Sequence, residues 1–415
     1  VATVVVIVLI LMIIALPKFR IMQELVDALN SVSRSILTGI PVIRAFGRER
    51  SAEKRFDKAS LDLMKTQLFT NRIMTFMPPM LMMLMNLLGV AIVWVASHRI
   101  NAGNMQVGSM TAFLTYSMMI VMSFMILTVM SILIPRAGVA ANRIDEVIMS
   151  ESSVVDSFDA IVINECSGRL EFDNVSFRYE GSDEDALSGI SFTANPGETT
   201  AIIGSTGSGK STIVNLISRF FDVTAGCIRL DGRDIRDISM KSLRDQIGLV
   251  PQKGILFSGT FDSNIRFGNE AATPEEVREA AEIAQALEFI EEKEDEFESS
   301  IAQGGSNVSG GQKQRLSIAR AIAKKPKILV FDDSFSALDM KTDAKLRRVL
   351  AKYEKEATKI IVAQRVGTII DAEQIIVLDE GEIVGKGRHR DLLRTCETYR
   401  QIAESQLSKS ELEVE

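Results

Sequence analysis

A glycine-rich loop is the residue pattern of this chain with the plainest chemistry. Its members, in order, are Gly204, Ser205, Thr206, Gly207, Ser208, Gly209, Lys210, Ser211 and Thr212. The loop follows an apolar strand pattern and opens a helical pattern, which is the context that a phosphate-binding loop requires. Glycines let backbone N–H groups curl around phosphate oxygens, and the helix N-terminus adds a favourable dipole. The spacing therefore predicts a nucleotide-binding loop rather than a chance glycine-rich turn.

Three side chains would complete the phosphate site. Lys210 would supply a point charge to the outer phosphates, and the Ser211 hydroxyl would coordinate Mg²⁺. Asp332 ends an apolar strand pattern roughly 120 residues later, and a carboxylate there would be a second hard oxygen ligand. Many buried strands end in aspartate, but the two motifs together predict the core of a nucleoside triphosphatase.

A third motif selects the family. Residues 308–315 read Val-Ser-Gly-Gly-Gln-Lys-Gln-Arg, which resembles the signature sequence of ATP-binding cassette (ABC) proteins. The resemblance implies ATP and Mg²⁺ as cofactors. It also implies that the signature residues complete the ATP site of a partner subunit, and these are Ser309, Gly310, Gly311 and Gln312.

Other landmarks of the ABC family appear in the same order along the chain. Gln252 resembles the Q-loop residue, which in the family contacts Mg²⁺ and faces the membrane domain. Asp339 resembles the D-loop residue, which crosses to the partner. Tyr179 stands where the family stacks an aromatic ring on adenine, and a tyrosine of a core strand is the alternative interpretation.

Two positions depart from the pattern of a fully active ABC site. Asp333 follows the magnesium aspartate where the family has a glutamate that orients the attacking water. Gln364 stands where the family has the histidine that contacts the γ-phosphate, and a neutral amide cannot carry imidazolium charge. We therefore expect a site that binds ATP well and in which Asp333, Gln364 and Gln252 support slow hydrolysis.

An intact signature beside an altered site predicts a particular assembly. The resemblance implies a heterodimer with a second ABC half-transporter, whose own site has the usual glutamate and histidine. Two alternatives stay open: a regulatory ATP-binding subunit without useful hydrolysis, and a homodimeric lipid flippase. The latter requires Asp333 to support turnover without a different partner.

The first third of the chain has the composition of a membrane domain. Three apolar stretches, 1–16, 74–96 and 110–134, pass the length test for membrane helices. Basic residues crowd the stretch 18–72, whereas the short turn 101–109 has only Arg99 beside it. The positive-inside rule places the long stretch and the domain after the last span in the cytoplasm. The apolar start at Val1 indicates that the beginning of the protein is missing.

Periodic apolar residues in the stretch 18–72 predict helices that continue beyond the bilayer and turn within 44–56. Residues 37–49 resemble the cytoplasmic loop between the fourth and fifth spans of multidrug-type exporters. By this resemblance the three spans correspond to spans 4–6 of six. Methionines crowd the last two spans, and they indicate either a pocket for apolar or amphipathic substrates or a lipid-facing surface.

The composition limits which other functions the chain could have. A formal net charge of -7 gives no support for nucleic-acid binding, and three widely spaced cysteines indicate reduced thiols. The predicted fold is a membrane α-helical domain, 1–149, then a polar linker, 150–167, and an α/β phosphate-loop nucleotide-binding domain, 168–405. A polar tail, 406–415, ends the chain. We expect an integral protein of the bacterial inner membrane, in contact with lipids, with its ATP-binding domain in the cytoplasm.

Overall fold

The computed structural model describes residues 2–163, 165–353 and 355–407. It separates into two compact units, Val1–Ser150 and Glu151–Glu415. Most of the predicted tail, 408–415, and Val1 lie outside the described residues.

Three long helices build the first unit. They are α1 (Ala2–Ala45), α2 (Glu49–Asn101) and α3 (Val107–Ile148). Short turns join them, and Gly47 in the first turn has φ +59°, a left-handed conformation that glycine adopts without strain. The turn between α1 and α2 lies within the predicted range 44–56, and the rest of the stretch 18–72 is helical.

The helices are longer than a bilayer requires. At 1.5 Å per residue, the 53 residues of α2 extend over about 80 Å, whereas the hydrocarbon core is about 30 Å thick. Among the described residues, α2 is the one helix long and apolar enough to cross a membrane, and it contains the predicted span 74–96. In α3 the described apolar stretch is Val107–Ser123, which covers part of the predicted span 110–134. The side chains of the predicted span 1–16 lie outside the described part of α1.

The second unit alternates strands and helices. Its strands are β1 (Leu170–Phe177), β2 (Leu187–Ala194), β3 (Thr199–Gly204), β4 (Ala225–Leu230), β5 (Arg233–Asp234), β6 (Ile247–Val250), β7 (Gly259–Thr260), β8 (Ser300–Ile301), β9 (Ile328–Asp332), β10 (Thr358–Val362), β11 (Gln374–Asp379) and β12 (Glu382–Gly387). Its helices are α4 (Lys210–Ile217), α5 (Met240–Asp245), α6 (Phe261–Arg266), α7 (Pro274–Ile283), α8 (Leu287–Glu291), α9 (Gly310–Ala323), α10 (Met340–Tyr353), α11 (Val366–Ile369), α12 (His389–Thr395) and α13 (Glu397–Gln406). Two 3₁₀ turns, Glu296–Glu298 and Gln303–Gly305, lie between α8 and α9.

Two larger sheets organise these elements. A six-stranded sheet has the order β12-β11-β3-β10-β9-β6, and all its pairs are parallel except β11 with β12. An antiparallel sheet has the order β2-β1-β4-β5. The central parallel strands are almost continuously buried, as expected for a sheet covered on both faces.

The register of the parallel strands determines where chemistry can occur. Val362 at the end of β10 pairs with Asp332 on one side and with Ile202 on the other, and Val250 at the end of β6 pairs with Phe331. The carboxyl ends of four strands therefore meet at one edge of the sheet. Ligands of open α/β sheets bind at this edge.

The predicted linker region packs against the second unit. Ile161 forms a parallel bridge with Ile238, and the Met240 N–H donates to Asp156 Oδ1 at 2.8 Å. Arg219, which is 2% exposed, donates to the Val155 carbonyl at 3.1 Å. The described part of the linker region is thus held against the second unit by backbone and side-chain hydrogen bonds.

Replacing Arg219 by methionine is expected to destabilise the second unit by about 3 kcal/mol, because the change leaves two hydrogen-bond acceptors, one of them partly exposed, without the buried guanidinium. These acceptors are Asp222 Oδ1 at 2.9 Å and the Ile238 carbonyl at 3.2 Å. Thermal unfolding of the protein in lipid should show a melting temperature lowered by roughly 5–10 °C. Arg229→Met, which removes a surface ion pair with Asp173, is the matched control. Equal shifts in the two variants would contradict the prediction.

Candidate nucleotide site

The glycine-rich loop connects β3 to α4 with a backbone that needs glycine. Gly207 and Gly209 have φ +87° and +95°. A Cβ at Gly209 would lie 2.5 Å from Leu187 Cδ2, whereas one at Gly207 would meet nothing within 4 Å. The loop is therefore packed against protein on one side and open on the other. A backbone of this kind presents N–H groups to an anion at the start of α4.

Lys210 places its ammonium group inside the loop. Its Nζ donates to the carbonyls of Gly204 at 2.9 Å and Ser205 at 2.6 Å. Burial lowers the pKa of Lys210, and the charges of Asp333 and Asp332 oppose that shift. Phosphate oxygens would offer this partly desolvated ammonium stronger, charged acceptors than carbonyls do.

Ser211 and Asp332 meet at the edge of the sheet. The Ser211 hydroxyl donates to Asp332 Oδ1 at 3.3 Å, and burial raises the pKa of Asp332. A hydroxyl and a carboxylate are oxygen ligands that suit Mg²⁺, and a divalent cation would compensate the buried charge. Among the described residues there is no group of three or more His, Cys, Asp and Glu side chains that could hold a metal. Phosphate oxygens and water would supply further ligands, as is usual for Mg²⁺.

Asp333 accepts hydrogen bonds from two side-chain amides. Its Oδ2 accepts a hydrogen bond from Gln364 Nε2 at 2.8 Å and from Gln252 Nε2 at 3.2 Å. The residue is 7% exposed and has φ +46°, and its N–H donates to the Val362 carbonyl at 2.9 Å. Left-handed backbone is uncommon outside glycine, although aspartate tolerates it better than most residues. The structure therefore brings together the three residues predicted to support hydrolysis.

Tyr179 lies beside the phosphate loop, two residues beyond the end of β1. Its hydroxyl is 3.2 Å from Thr212 Oγ1, and its ring meets Phe177 and Phe221 edge-on at centroid distances of 4.8 and 5.3 Å. The residue is 37% exposed, so it is not a buried residue of the core strand. The position next to α4 is compatible with the predicted contact to adenine.

The signature residues begin α9. Ser309 is the N-cap: its Oγ accepts from the Gln312 N–H at 3.3 Å, and Gln312 Oε1 accepts from the Ser309 N–H at 2.9 Å. Gly310 and Gly311 form the first helical positions. Within the described part of the chain, no hydrogen bond or ion pair joins residues 309–312 to the loop 204–212. The side-chain hydrogen bonds described for Ser309 and Gln312 are thus local to the start of α9.

Asp339 lies immediately before α10. Its carboxylate accepts from the Thr342 N–H at 3.0 Å and from the Thr342 hydroxyl at 2.7 Å. These hydrogen bonds, the side-chain bond first, lower the pKa of Asp339. The predicted D-loop residue thus has a local role as a helix cap in the isolated chain.

Three contacts near the predicted site residues could not be found from the sequence. Gln314, which is 1% exposed, donates to the Pro251 carbonyl at 2.9 Å, and a Cβ at Gly254 would lie 2.7 Å from the Lys313 carbonyl oxygen. The helix that begins with the signature is therefore packed directly on the segment that carries Gln252. Ser205 Oγ also donates to Asp379 Oδ1 at 3.3 Å. Gln314 lies within the signature motif, but the motif does not show that its side chain reaches the segment of Gln252, and Asp379 belongs to none of the motifs described above.

Comparison with known proteins identifies the family. The ABC transporter family model matches residues 187–336, and the ABC transporter transmembrane region model matches residues 1–124. An uncharacterized ABC transporter ATP-binding protein of Mycobacterium tuberculosis is 43% identical over 395 residues, which are 94% of this chain and 68% of the relative. This chain belongs to the ABC transporter family.

Further similarities identify the kind of ABC transporter. The ATP-dependent lipid A-core flippase of Hahella chejuensis is 36% identical over 393 residues, covering 94% of this chain and 67% of the flippase. A solved structure of a bacterial Atm1-family ABC exporter with ATP bound gives a TM-score of 0.82 at 29% identity, covering 99% of this chain and 73% of that one. The chain thus has the fold of an Atm1-type exporter, with a membrane domain and an ATP-binding domain. The predictions of an ABC exporter and of an ATP-hydrolysing transporter are confirmed at this level.

Proposed function

We propose that this ABC exporter chain is an ATP-binding and permease subunit whose own ATP site is catalytically weak. The observation that carries the proposal is the position of the Asp333 carboxylate, which is held by Gln252 and Gln364. Aspartate is one methylene shorter than glutamate, which retracts the carboxylate by roughly 1.5 Å, and a misplacement of about 1 Å can cost ~100-fold in rate. Attack by water at the γ-phosphate would be correspondingly slow.

The change at Gln364 acts in the same direction. Its Nε2 donates to Asp333, so the amide is a neutral donor at the point where a histidine could carry positive charge. Charge develops on the γ-phosphate oxygens during transfer, and a neutral donor stabilises it less than a cation does. Two weakened groups in one site support slow hydrolysis better than either alone.

Most of the contacts that would hold ATP and Mg²⁺ come from residues other than these two. Lys210 and the loop backbone would hold the phosphates, and Ser211, Asp332 and the amide oxygen of Gln252 would hold Mg²⁺. Tyr179 would contact the adenine from its position beside Thr212. Mg²⁺, when bound, neutralises charge on the outer phosphates.

The signature supports a role in a second site. ABC exporters are dimeric, and the start of α9 with Ser309 as its cap is intact in this chain. We place residues 309–312 and Asp339 against the ATP of a different half-transporter, which has the glutamate and histidine that this chain lacks. ATP binding closes the two ATP-binding domains, the membrane helices change from inward-open to outward-open, and hydrolysis at the partner's site resets the transporter.

The membrane helices suggest an apolar or amphipathic substrate. Several methionines of α2 and α3 have exposed side chains: Met82, Met83, Met118, Met119 and Met122. Flexible thioethers adapt to apolar molecules of different shapes. We place the protein in a bacterial inner membrane, with the ATP-binding domain in the cytoplasm.

One observation favours a second candidate. The similarity to an ATP-dependent lipid A-core flippase supports transport of a lipid. In this alternative the exporter is a homodimer, and Asp333 is a working catalytic residue. A subunit that only binds ATP and regulates its partner is the remaining alternative.

ATP turnover in lipid nanodiscs tests the proposal. The exporter should hydrolyse ATP only together with its partner half-transporter, and Asp333→Ala should change this turnover less than about twofold. Replacing the catalytic glutamate of the partner should abolish it. Brisk turnover by this chain alone, stopped by Asp333→Ala, would instead establish the homodimer.

A further inference from the structure

The last described helix, α13, is firmly anchored in the second unit. Tyr399 and Ala403 are both 0% exposed, and Ala403 belongs to the main hydrophobic core. The helix ends at Gln406, and the following Leu407 donates its N–H to the Ala403 carbonyl at 2.8 Å and packs on the same core. The position of the Gln406 backbone is therefore fixed by buried apolar residues.

Gln406 contacts the segment that carries Gln364. Gln406 Oε1 accepts a hydrogen bond from the Val366 N–H at 2.8 Å, and Gln406 Nε2 donates to the Gln364 carbonyl at 2.8 Å. Val366 is the first residue of α11, and the N-cap residue Arg365 makes no side-chain capping bond. One amide side chain thus satisfies a free N–H of a helix start and a carbonyl two residues earlier.

Gln364 is held by hydrogen bonds at its backbone and at its side chain. Its carbonyl accepts from Gln406, and its side chain donates to Asp333. The direction in which the Gln364 amide projects depends on its backbone, because a rotation there would move the amide away from Asp333. The two bonds of Gln406 oppose such a rotation.

We propose that Gln406 is a positioning residue, which holds residues 364–366 so that the Gln364 side chain reaches Asp333 and the γ-phosphate of ATP. The inference rests on the proposed place of Gln364 at the γ-phosphate. It adds that α13 takes part in distinguishing ATP from ADP, since only ATP has the phosphate that Gln364 would contact.

Two variants separate the bonds of Gln406. Gln406→Ala removes both, whereas Gln406→Glu keeps an acceptor for Val366 and replaces the donor to the Gln364 carbonyl by a repelling oxygen. Gln401→Ala is the matched control, because Gln401 lies on the same helix and bonds only within it, to Glu397 at 3.1 Å. Melting temperatures identify any loss of folding, and Gln406→Glu carries the test if Gln406→Ala unfolds.

The measurement is the affinity of the complete exporter in nanodiscs for fluorescent ATP and fluorescent ADP, each with Mg²⁺. Both Gln406 variants should lower the preference for ATP over ADP by about three- to tenfold, the size expected from one or two neutral hydrogen bonds. Gln401→Ala should leave the preference unchanged. An equal loss of affinity for ATP and for ADP would indicate a general loosening of the fold and would overturn the inference.

A double-variant cycle tests whether Gln406 acts through Gln364. Gln364→Ala should lower the preference for ATP, and adding Gln406→Ala should lower it no further. Additive losses in the double variant would overturn the role of Gln406 and leave the proposed function standing. The same conclusion would follow if Gln364→Ala lowered the preference and Gln406→Ala did not. An unchanged preference in Gln364→Ala would overturn the proposed place of Gln364 itself. In the unaltered chain, slow hydrogen exchange of the Val366 amide, accelerated in Gln406→Ala and not in Gln406→Glu, is the corresponding structural result.

Discussion

Replacing Ser309 by aspartate is expected to lower ATP turnover of the assembled exporter by at least about 100-fold. The altered chain should still fold and should still bind ATP at its own phosphate loop. The loss would arise at the partner's site, which the signature is proposed to complete. Turnover and nucleotide binding of the same preparation in nanodiscs measure the two effects separately.

The structure makes aspartate an informative replacement at this position. Ser309 caps α9 through its hydroxyl oxygen, and aspartate is an equally good N-cap whose charge suits the positive end of a helix. The fold of the chain is therefore preserved. The same surface is proposed to face the γ-phosphate of the ATP bound by the partner. There the carboxylate would meet an anion, and like charges in a closed site repel strongly.

Thr273 provides the matched control. It caps α7 with the same reciprocal arrangement, since its side chain accepts from the Glu276 N–H and Glu276 bonds back to the Thr273 N–H. Thr273→Asp introduces the same charge at a cap that the proposal places in no ATP site, and turnover should remain within about twofold of the original. Full turnover in Ser309→Asp would mean that the signature does not complete a site in the dimer.

The features that the sequence predicted are local ones. The phosphate loop needs glycines at positions where the chain has positive φ, so its geometry can be predicted from nine consecutive residues. The strands that end at Gly204 and Asp332 are apolar runs, and parallel pairing brings their carboxyl ends to one edge. A membrane domain and an α/β domain could therefore be predicted, with the loop and the magnesium aspartate in the same site.

The remaining contacts join segments distant in sequence through ordinary polar residues. Gln252 and Gln364 are 81 and 31 residues from Asp333, and no spacing rule shows that both amides reach one carboxylate oxygen. Gln406 lies on an amphipathic helix with the composition of a solvated surface. Arg219 is buried although arginine is usually exposed, because its partners come from three different segments. Such contacts depend on the packed arrangement and become visible only in the structure.

Introducing the glutamate and the histidine of the family pattern should speed up hydrolysis at the site that is proposed to be slow. In the variant Asp333→Glu with Gln364→His, ATP turnover at this chain's own site is expected to rise by at least about tenfold. The glutamate would extend the carboxylate by one methylene towards the water, and the histidine could place a positive charge near the γ-phosphate. Each single change should give less, because the carboxylate and the residue at 364 are in direct contact at 2.8 Å and act as a unit.

The gain must be assigned to the correct site of the dimer. Turnover is therefore measured with a partner whose catalytic glutamate is replaced by glutamine, so that only this chain's site can hydrolyse ATP. Adding Lys210→Met to the double variant should abolish the gained turnover, because Lys210 lies inside the phosphate loop. If the double variant stays as slow as the original, the positions of Asp333 and Gln364 do not limit hydrolysis, and the slow step must lie in closure of the dimer. If the original site is already as fast as the double variant, the aspartate is a competent catalytic residue and the assignment of a weak site is wrong.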